Sequence, residues 1–134
     1  VGPGRTCLAL DELLEAVQID APRPGQRATF FKRMRTAMDV ALVSVAAMVE
    51  LQDGVLAEVR IAAGSVAPVP TRLRGAEDLL RGQKASPSLF AEARATAMAE
   101  VCPITDLRAG ADYRRQLVGV YVQRALQALC GEES

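Results

Sequence analysis

Residues 40–63 read VALVSVAAMVELQDGVLAEVRIAA, and they carry the clearest local signal for secondary structure in the chain. Two apolar runs flank Asp53-Gly54, a pair that favours a type I′ turn because both of its central positions need a positive φ. Alternation in the second run predicts one buried face, made of Val55, Ala57, Val59 and Ile61. It predicts that the opposite face, made of Leu56, Glu58 and Arg60, is more exposed to solvent. The stretch therefore predicts an antiparallel β-hairpin whose second strand ends or bulges at Gly64-Ser65.

Further elements are predicted on both sides of the hairpin. Upstream we expect a short strand over residues 15–19, a proline-containing loop over 20–25 and a strand over 29–35. Downstream we expect helices over 75–81, from the Ser86-Pro87 cap to about 101, and from Asp112 as N-cap to Gly131. Residues 132–134 form a tail. Strands followed by helices predict an α+β fold, with an antiparallel sheet of three or four strands and about three helices packed on one face.

The last helix is predicted to be amphipathic. Its wide apolar stripe comprises Leu117, Val118, Val120, Tyr121, Val122, Ala125, Leu126 and Leu129. Its narrow polar stripe comprises Gln116, Gly119, Gln123 and Gln127. At 134 residues the chain fits one domain, with a sheet over 26–70 and a helical layer over 71–134.

Composition excludes several classes of function. The formal charge is zero, which disfavours nucleic acid as the main partner. The chain has no histidine, so the commonest general base and the usual nucleophile pairs are missing, and no catalytic residue is predicted. The three cysteines, Cys7, Cys102 and Cys130, lack metal-site spacing and indicate reduced, mostly buried thiols in a cytoplasmic protein, with no metal site. No apolar run approaches the ~20 residues that span a bilayer.

Lys32 is the most informative single residue, because it lies between aromatic neighbours on a predicted strand. It shares one strand face with Phe30, whereas Phe31 and Arg33 share the other. One interpretation is an edge-strand lysine that discourages aggregation. The other is a fixed cation that faces an anionic ligand. The pattern alone favours the first.

Other charged groups are expected to be structural. The adjacent carboxylates Asp11-Glu12 and Glu77-Asp78 diverge in direction, so they are interpreted as solvated surface and not as an acid/base pair. Arg33, Arg35 and Arg72 are candidates to pair with Asp39, Glu77 or Asp106. Arg108, Arg114 and Arg115 flank the start of the last helix. They either bind an anion together with its amides or form salt bridges to Asp106 and Asp112.

Motifs along the chain together resemble a known family. They are Gly4-Arg5-Thr6 with Leu8, Glu12-Leu13-Leu14 with Ile19, Phe31-Lys32, Met38-Asp39-Val40-Ala41, Val45-Ala46-Ala47, Asp53-Gly54, Arg60-Ile61-Ala62 with Gly64, Val66-Ala67-Pro68 with Pro70 and Arg72, Ala76-Glu77 with Leu80 and Gly82, Pro103, Asp106, Arg108 and Tyr113-Arg114-Arg115. The chain resembles the C-terminal domain of the FAD-binding medium subunit of molybdenum hydroxylases, the family of carbon monoxide dehydrogenase and xanthine dehydrogenase flavoproteins.

The resemblance implies a function that the residues alone do not reach. It implies a domain that covers FAD and supports electron transfer from iron–sulfur clusters to an acceptor. The implied partners are an N-terminal FAD-binding lobe and iron–sulfur and molybdopterin subunits. Leu14 matches a position that packs near the flavin ring, and Lys32 matches a lysine near its polar edge. Asp39, Arg72, Asp106 and Tyr113 match positions with a structural role.

The chain also departs from the family pattern. It has no glycine-rich FAD motif, and Asp20 stands where the family usually has proline. We therefore expect residues 1–25 to be a junction to a flavin-binding lobe outside this chain, which would be a truncated piece, a cleaved fragment or a stand-alone remnant. Alone it is expected to bind FAD weakly or not at all and not to be catalytic. The alternative is a non-catalytic assembly module that keeps the fold without flavin.

Overall fold

Four antiparallel strands and three helices make up the protein in a computed structural model that describes Gly2 and residues 4–131. The strands are β1 (Gln26–Arg33), β2 (Val43–Gln52), β3 (Val55–Gly64) and β4 (Thr71–Arg72). The helices are α1 (Arg74–Leu80), α2 (Pro87–Glu100) and α3 (Ala111–Cys130). The sheet order is β1-β2-β3-β4, which confirms the α+β prediction. Strand β4 lies just beyond the 26–70 range expected for the sheet, and the predicted tail at 132–134 lies outside the described residues.

The predicted hairpin is present, and a bulge changes which residues it buries. Asp53 and Gly54 both have positive φ, 51° and 77°, as a type I′ turn requires. Glu50 pairs with Glu58 but Leu51 pairs with Leu56, so Ala57 is an extra residue on β3. A one-residue shift in register moves side chains to the other face of the sheet. Leu56 is therefore fully buried, and its predicted position on the solvent-exposed face is wrong.

The three helices lie on one face of the sheet and enclose the core. Helix α3 packs on β1 and β2, α1 packs on β3, and α2 packs on α1 and α3. Phe31 on β1 stacks on Tyr121 with ring centroids 5.6 Å apart. Within the part of the chain that the structure describes, β1 pairs with β2 alone and is therefore an edge strand.

Gly119 was predicted to lie on a polar stripe, but α3 buries it against α2. An added Cβ there would lie 2.6 Å from both Cγ and Sδ of Met98 and 2.9 Å from Cγ of Arg94. Gly119 therefore allows the two helices to approach closely. The hydropathy pattern gave no sign of this role, because glycine scores as neither apolar nor charged.

Caps explain where the helices begin. Ser86 Oγ accepts a hydrogen bond from Leu89 N–H at 3.3 Å, and Pro87 occupies the first turn, as predicted. Helix α3 begins at Ala111 and not after Asp112, because the hydroxyl of Thr105 accepts the Ala111 N–H at 3.0 Å. The side chain of Asp112 instead pairs with Arg115 at 2.6 Å.

The predicted strand over residues 15–19 is absent. Residues 6–24, here called the arm, contain no strand or helix, and nearly all their side chains are exposed. A strand is stable only when its backbone groups pair with a neighbour, and the arm pairs with no strand in the described chain. The loop predicted over 20–25 is confirmed.

Candidate functional site

Lys32 lies on the outer face of β1, the face turned away from the helices. It pairs across the sheet with Ser44, which in turn pairs with Gly64. The side chain is exposed, and it forms no ion pair within residues 4–131. Lys32 is thus a cation at a sheet edge that no carboxylate of the described residues holds, and this agrees with either interpretation made from the sequence.

The outer face beside Lys32 is built from small and apolar side chains. The next row along the sheet is Phe30–Ala46–Ala62–Arg72, and Phe30 is 62% exposed. A shallow depression of about 290 Å³ follows this face. A Cβ added at Gly64 would lie only 2.5 Å from Ser44 Oγ. Glycine therefore leaves the third position of the row Lys32–Ser44–Gly64 without a side chain. The result is a mostly apolar platform on the outer face, with Lys32 in the row beside it and Arg60 and Arg72 among its lining residues.

Leu14 lies on the arm, and its side chain is 64% exposed. The residues around it share this exposure: Leu10, Leu13, Val17 and Ile19 are all exposed hydrophobic residues. Clustered exposed apolar groups are typical of surfaces that bind another protein. Among the described residues, Leu14 lines none of the described clefts and no side-chain hydrogen bond or ion pair involves Lys32, so the roles of both residues stay predictions.

The end of the arm is tied to the outer face by charges. Arg23 pairs with Glu58 at 2.5 Å and with Glu50 at 3.2 Å. Arg60 also pairs with Glu58, and this hydrogen bond is the main cause that lowers the pKa of the Glu58 carboxyl. Residues 18–21 of the arm and Met48 line a cleft of about 440 Å³ there. The arm therefore leaves the sheet on the same face that carries Lys32.

Asp106 organises the polar corner before α3. Its Oδ1 accepts the backbone N–H groups of Arg108 and Ala109 at 2.9 and 3.0 Å, and the guanidinium of Arg114 at 2.8 Å. These hydrogen bonds lower the pKa of Asp106 to about 2, and the two from the backbone have the largest effect. Arg114 also donates to the carbonyl oxygens of Leu42 and Ser65. Of the two interpretations left open by the sequence, salt bridges and not anion binding occupy these arginines.

Arg35 and Asp39 form the ion pair that the sequence allowed, at 3.0 Å. The Arg35 hydrogen bond holds the pKa of Asp39 below its ordinary value. Arg33 forms no ion pair with the residues described.

Glu77 was interpreted as solvated surface, and that interpretation is wrong. Its side chain is buried and accepts the Ile61 N–H at 2.8 Å. It also binds Arg72 through two hydrogen bonds, of 2.6 and 2.7 Å. This pairing raises the pKa of Arg72 and joins α1 to β3 and β4. The ion pair with Arg72 was among the pairings that the sequence allowed, and it is confirmed. Glu77 also lies on the apolar side of α1, next to Ala76 and one turn before Leu80.

The remaining composition-based predictions have mixed outcomes. All three cysteines are free, but Cys7 and Cys102 are exposed, so "mostly buried" is wrong for them. Cys130 is partly buried, and burial raises the pKa of its thiol. Within the described residues, no three His, Cys, Asp or Glu side chains gather to hold a metal ion. No helix in that part of the chain is both long and apolar enough to cross a bilayer.

Comparison with known proteins gives the architecture a family context. The family model described as the CO dehydrogenase flavoprotein C-terminal domain matches residues 28–129. The nicotine 6-hydroxylase medium subunit of Paenarthrobacter nicotinovorans is 32% identical over 126 residues, which are 94% of this chain and 44% of that protein. The xanthine dehydrogenase FAD-binding subunit of Escherichia coli O157:H7 is 29% identical over 128 residues, 93% of this chain and 44% of that protein.

A solved structure gives the same family context. Carbon monoxide dehydrogenase from Hydrogenophaga pseudoflava matches with a TM-score of 0.80 and 32% identity, over 83% of this chain and 39% of that one. The chain spans less than half the length of the curated relatives that it matches.

Proposed function

This chain belongs to the family of CO dehydrogenase flavoprotein C-terminal domains, and we propose that it covers the flavin in an FAD-containing subunit of a molybdenum hydroxylase-type oxidoreductase. In this role it supports electron transfer from iron–sulfur clusters to an acceptor and is not catalytic by itself. The observation that carries the proposal is the uncovered outer face of the sheet, with Lys32 at its edge.

The outer face fits one side of a flavin and not a whole FAD. A planar ring system packs against apolar side chains, and the row through Phe30, Ala46 and Ala62 offers them. The pyrophosphate needs backbone amides of a glycine-rich loop, and the sequence has none. The FAD-binding lobe that supplies these amides is therefore a partner of this domain.

FAD, when bound, accepts electrons and passes them on. The contribution of Lys32 is electrostatic. Its ammonium, which pairs with no carboxylate of the described residues, places positive charge next to the platform, where it favours the form of the ring with more negative charge. When the lobe covers this surface, the Lys32 ammonium is no longer exposed to solvent. Its charge then acts in a lower dielectric and interacts more strongly with the ring.

The arm connects the two bodies in this proposal. Residues 1–25 are the junction to the lobe, and Leu14 is the contact that packs near the ring. The ion pairs of Arg23 fix where the junction meets the sheet. The exposed leucines of the arm are buried only when the lobe is present, which explains why the chain leaves them uncovered.

The relatives support a multi-subunit context. Their names describe medium or FAD-binding subunits, so we propose iron–sulfur and molybdopterin subunits as the partners of the complete enzyme. Three unpaired thiols agree with a cytoplasmic assembly.

Blocking the platform tests the proposal. Ala46→Trp in the full-length subunit places a large side chain on the outer face, where Ala46 is exposed. We expect at least a tenfold loss of FAD affinity, measured by flavin absorbance after dialysis, and easier quenching of the remaining flavin fluorescence by iodide. Ala128→Trp is the matched control, because Ala128 is exposed on α3. Equal flavin affinity in both variants contradicts a flavin-covering role. A full-length subunit that assembles without flavin supports the alternative, an assembly module.

A further inference from the structure

The arm contains a segment, residues 13–19, whose backbone has no hydrogen-bond partner in the part of the chain that the structure describes. A turn closes before it, where Glu12 N–H donates to the carbonyl oxygen of Ala9 at 3.2 Å and the Glu12 carboxylate accepts the Ala9 N–H at 2.8 Å. A second turn closes after it, where Gln26 N–H donates to the carbonyl oxygen of Arg23 at 3.1 Å. The N–H and C=O groups between the two turns are therefore open to a partner outside the described residues.

The side chains of this segment follow the pattern of a strand. In an extended chain, one face carries Leu13, Glu15, Val17 and Ile19, and the other carries Leu14, Ala16 and Gln18. Val17 and Ile19 are β-branched, which favours strands, and they are 73% and 86% exposed. Pro22 has no N–H to donate, so strand pairing ends before it. The segment thus has the pattern of a strand and lacks a neighbouring strand.

The charge of the segment restricts which neighbour fits. Residues 8–22 contain four carboxylates and no lysine or arginine. The Glu15 side chain forms no ion pair with the described residues. Opposite charges on paired strands stabilise a sheet and like charges destabilise it. Two copies of this segment would bring carboxylates together, so a partner strand with a cation opposite Glu15 fits better than a second copy.

The proposed function supplies a body of that kind, and our inference rests on it. The FAD-binding lobe covers the arm in that proposal, and more than half of the length of each curated relative lies outside its match to this chain. Backbone groups that become buried need hydrogen-bond partners. For an extended segment with alternating side chains, pairing with the edge of a sheet supplies these partners with the least rearrangement.

We infer that residues 13–19 add as an edge strand to a β-sheet of the FAD-binding lobe, which presents apolar side chains to Val17 and Ile19 and a lysine or arginine to Glu15. Main-chain hydrogen bonds supply affinity in this mode of binding, and the alternate side chains supply specificity. Leu14 lies on the opposite face of the added strand, so its proposed contact with the flavin ring does not compete with the contacts of Val17 and Ile19.

Hydrogen exchange followed by peptide mass spectrometry tests the inference in the full-length subunit. The amides of residues 13–19 should exchange rapidly in the 134-residue chain. In the full-length subunit about half of them should exchange at least about 100-fold more slowly, because alternate N–H groups of an added strand point at its neighbour. Glu15→Lys should raise these slow rates at least about tenfold, since it places a like charge opposite the partner's cation. Glu92→Lys, at an exposed carboxylate of α2, is the matched control and should leave them unchanged.

A pair of neighbouring proline substitutions distinguishes strand pairing from irregular packing. In an added strand only one of two successive N–H groups faces the neighbour, and proline is tolerated where the N–H faces solvent. One of Ala16→Pro and Val17→Pro should therefore abolish the slow exchange, whereas the other should retain most of it. Equal loss of protection in both variants would overturn strand pairing. Both residues lie in the arm, so circular dichroism of each variant should match that of wild type.

The outcomes separate this inference from the proposed function. Amides that exchange as fast in an FAD-containing full-length subunit as in the 134-residue chain overturn the strand inference alone. Slow exchange in a full-length subunit that binds no flavin supports the strand inference and contradicts the proposed function. Slow exchange that appears in the concentrated 134-residue chain and disappears on dilution assigns the segment to a second copy and overturns the inference. Equal rates in Glu15→Lys and Glu92→Lys overturn the cation opposite Glu15.

Discussion

Glu77 is expected to be one of the most sensitive single positions for stability, although it is a charged residue in a short helix. Glu77→Ala removes the acceptor of the Ile61 N–H and both hydrogen bonds to Arg72. A buried amide left without a partner costs about 1–3 kcal/mol. Removal of one partner from a buried ion pair costs about 3–5 kcal/mol. Arg72 is 38% exposed and regains some hydration, so we expect a total loss of about 3–4 kcal/mol.

Two further variants separate the contributions. Glu77→Gln keeps the side-chain volume and an oxygen for Ile61 but loses the charge, and it should cost about 2 kcal/mol because charge-assisted hydrogen bonds are roughly twice as strong as neutral ones. Asp78→Ala is the matched control in the same helix. Asp78 is 70% exposed and pairs with Arg81 at the surface, and such pairs contribute about 0.5 kcal/mol.

Urea unfolding followed by circular dichroism measures these losses by linear extrapolation. For a chain of this length the Glu77→Ala loss corresponds to a fall in Tm of roughly 10 °C. A loss below about 1 kcal/mol, or one equal to that of Asp78→Ala, would refute the assignment of Glu77 as the buried link between α1 and the sheet.

Two more predictions concern the corner and the helix contact. Because the pKa of Asp106 is lowered to about 2 in the folded state from an ordinary 3.8, its stabilising effect is present above pH ~4 and is lost as pH falls toward 2. Asp106→Asn should therefore remove part of the acid-induced loss of stability measured by urea unfolding between those pH values, and an unchanged pH dependence would contradict this. Gly119→Ala should destabilise by about 1 kcal/mol, since overpacking against Met98 costs about 1–3 kcal/mol and the helix preference of alanine offsets about 1 kcal/mol. Gly110→Ala meets no atom within 4 Å and should change thermal stability little; equal effects at the two glycines would count against the close helix contact.

Local signals in the sequence predicted most of the fold. The Asp53-Gly54 turn and the Ser86-Pro87 cap act through contacts between residues close in the chain, so their patterns are visible without the tertiary structure. The arm shows the limit of this reasoning. Residues 15–19 alternate like a strand, but no strand of the described chain pairs with them.

Three of the errors share one physical cause, which is long-range packing. Leu56 is buried because a bulge shifts the register, and Gly119 is buried because α2 crosses α3 there. Glu77 is buried because Arg72 and Ile61 supply its hydrogen bonds from the sheet. None of these partners can be identified from alternation or helical periodicity, which describe one element at a time.

The candidate site was predictable only in part. The pattern placed Lys32 on a strand face with Phe30, and the structure agrees. Flavin binding was predicted only from the resemblance to a family, and the roles of Lys32 and Leu14 stay predictions. The 134-residue sequence contains no phosphate-binding loop that would have pointed to FAD without that resemblance.

The reduction potential of the flavin in a Lys32→Met full-length subunit shows directly whether Lys32 acts on the flavin. Loss of a cation beside the ring should lower the potential by at least about 20 mV, which is roughly 1 kcal/mol for a two-electron couple. Arg33→Met, one residue further along β1 and on the opposite face, is the matched control and should leave the potential unchanged. A potential for Lys32→Met equal to that of wild type and of Arg33→Met would contradict the account and leave Lys32 as an edge-strand lysine.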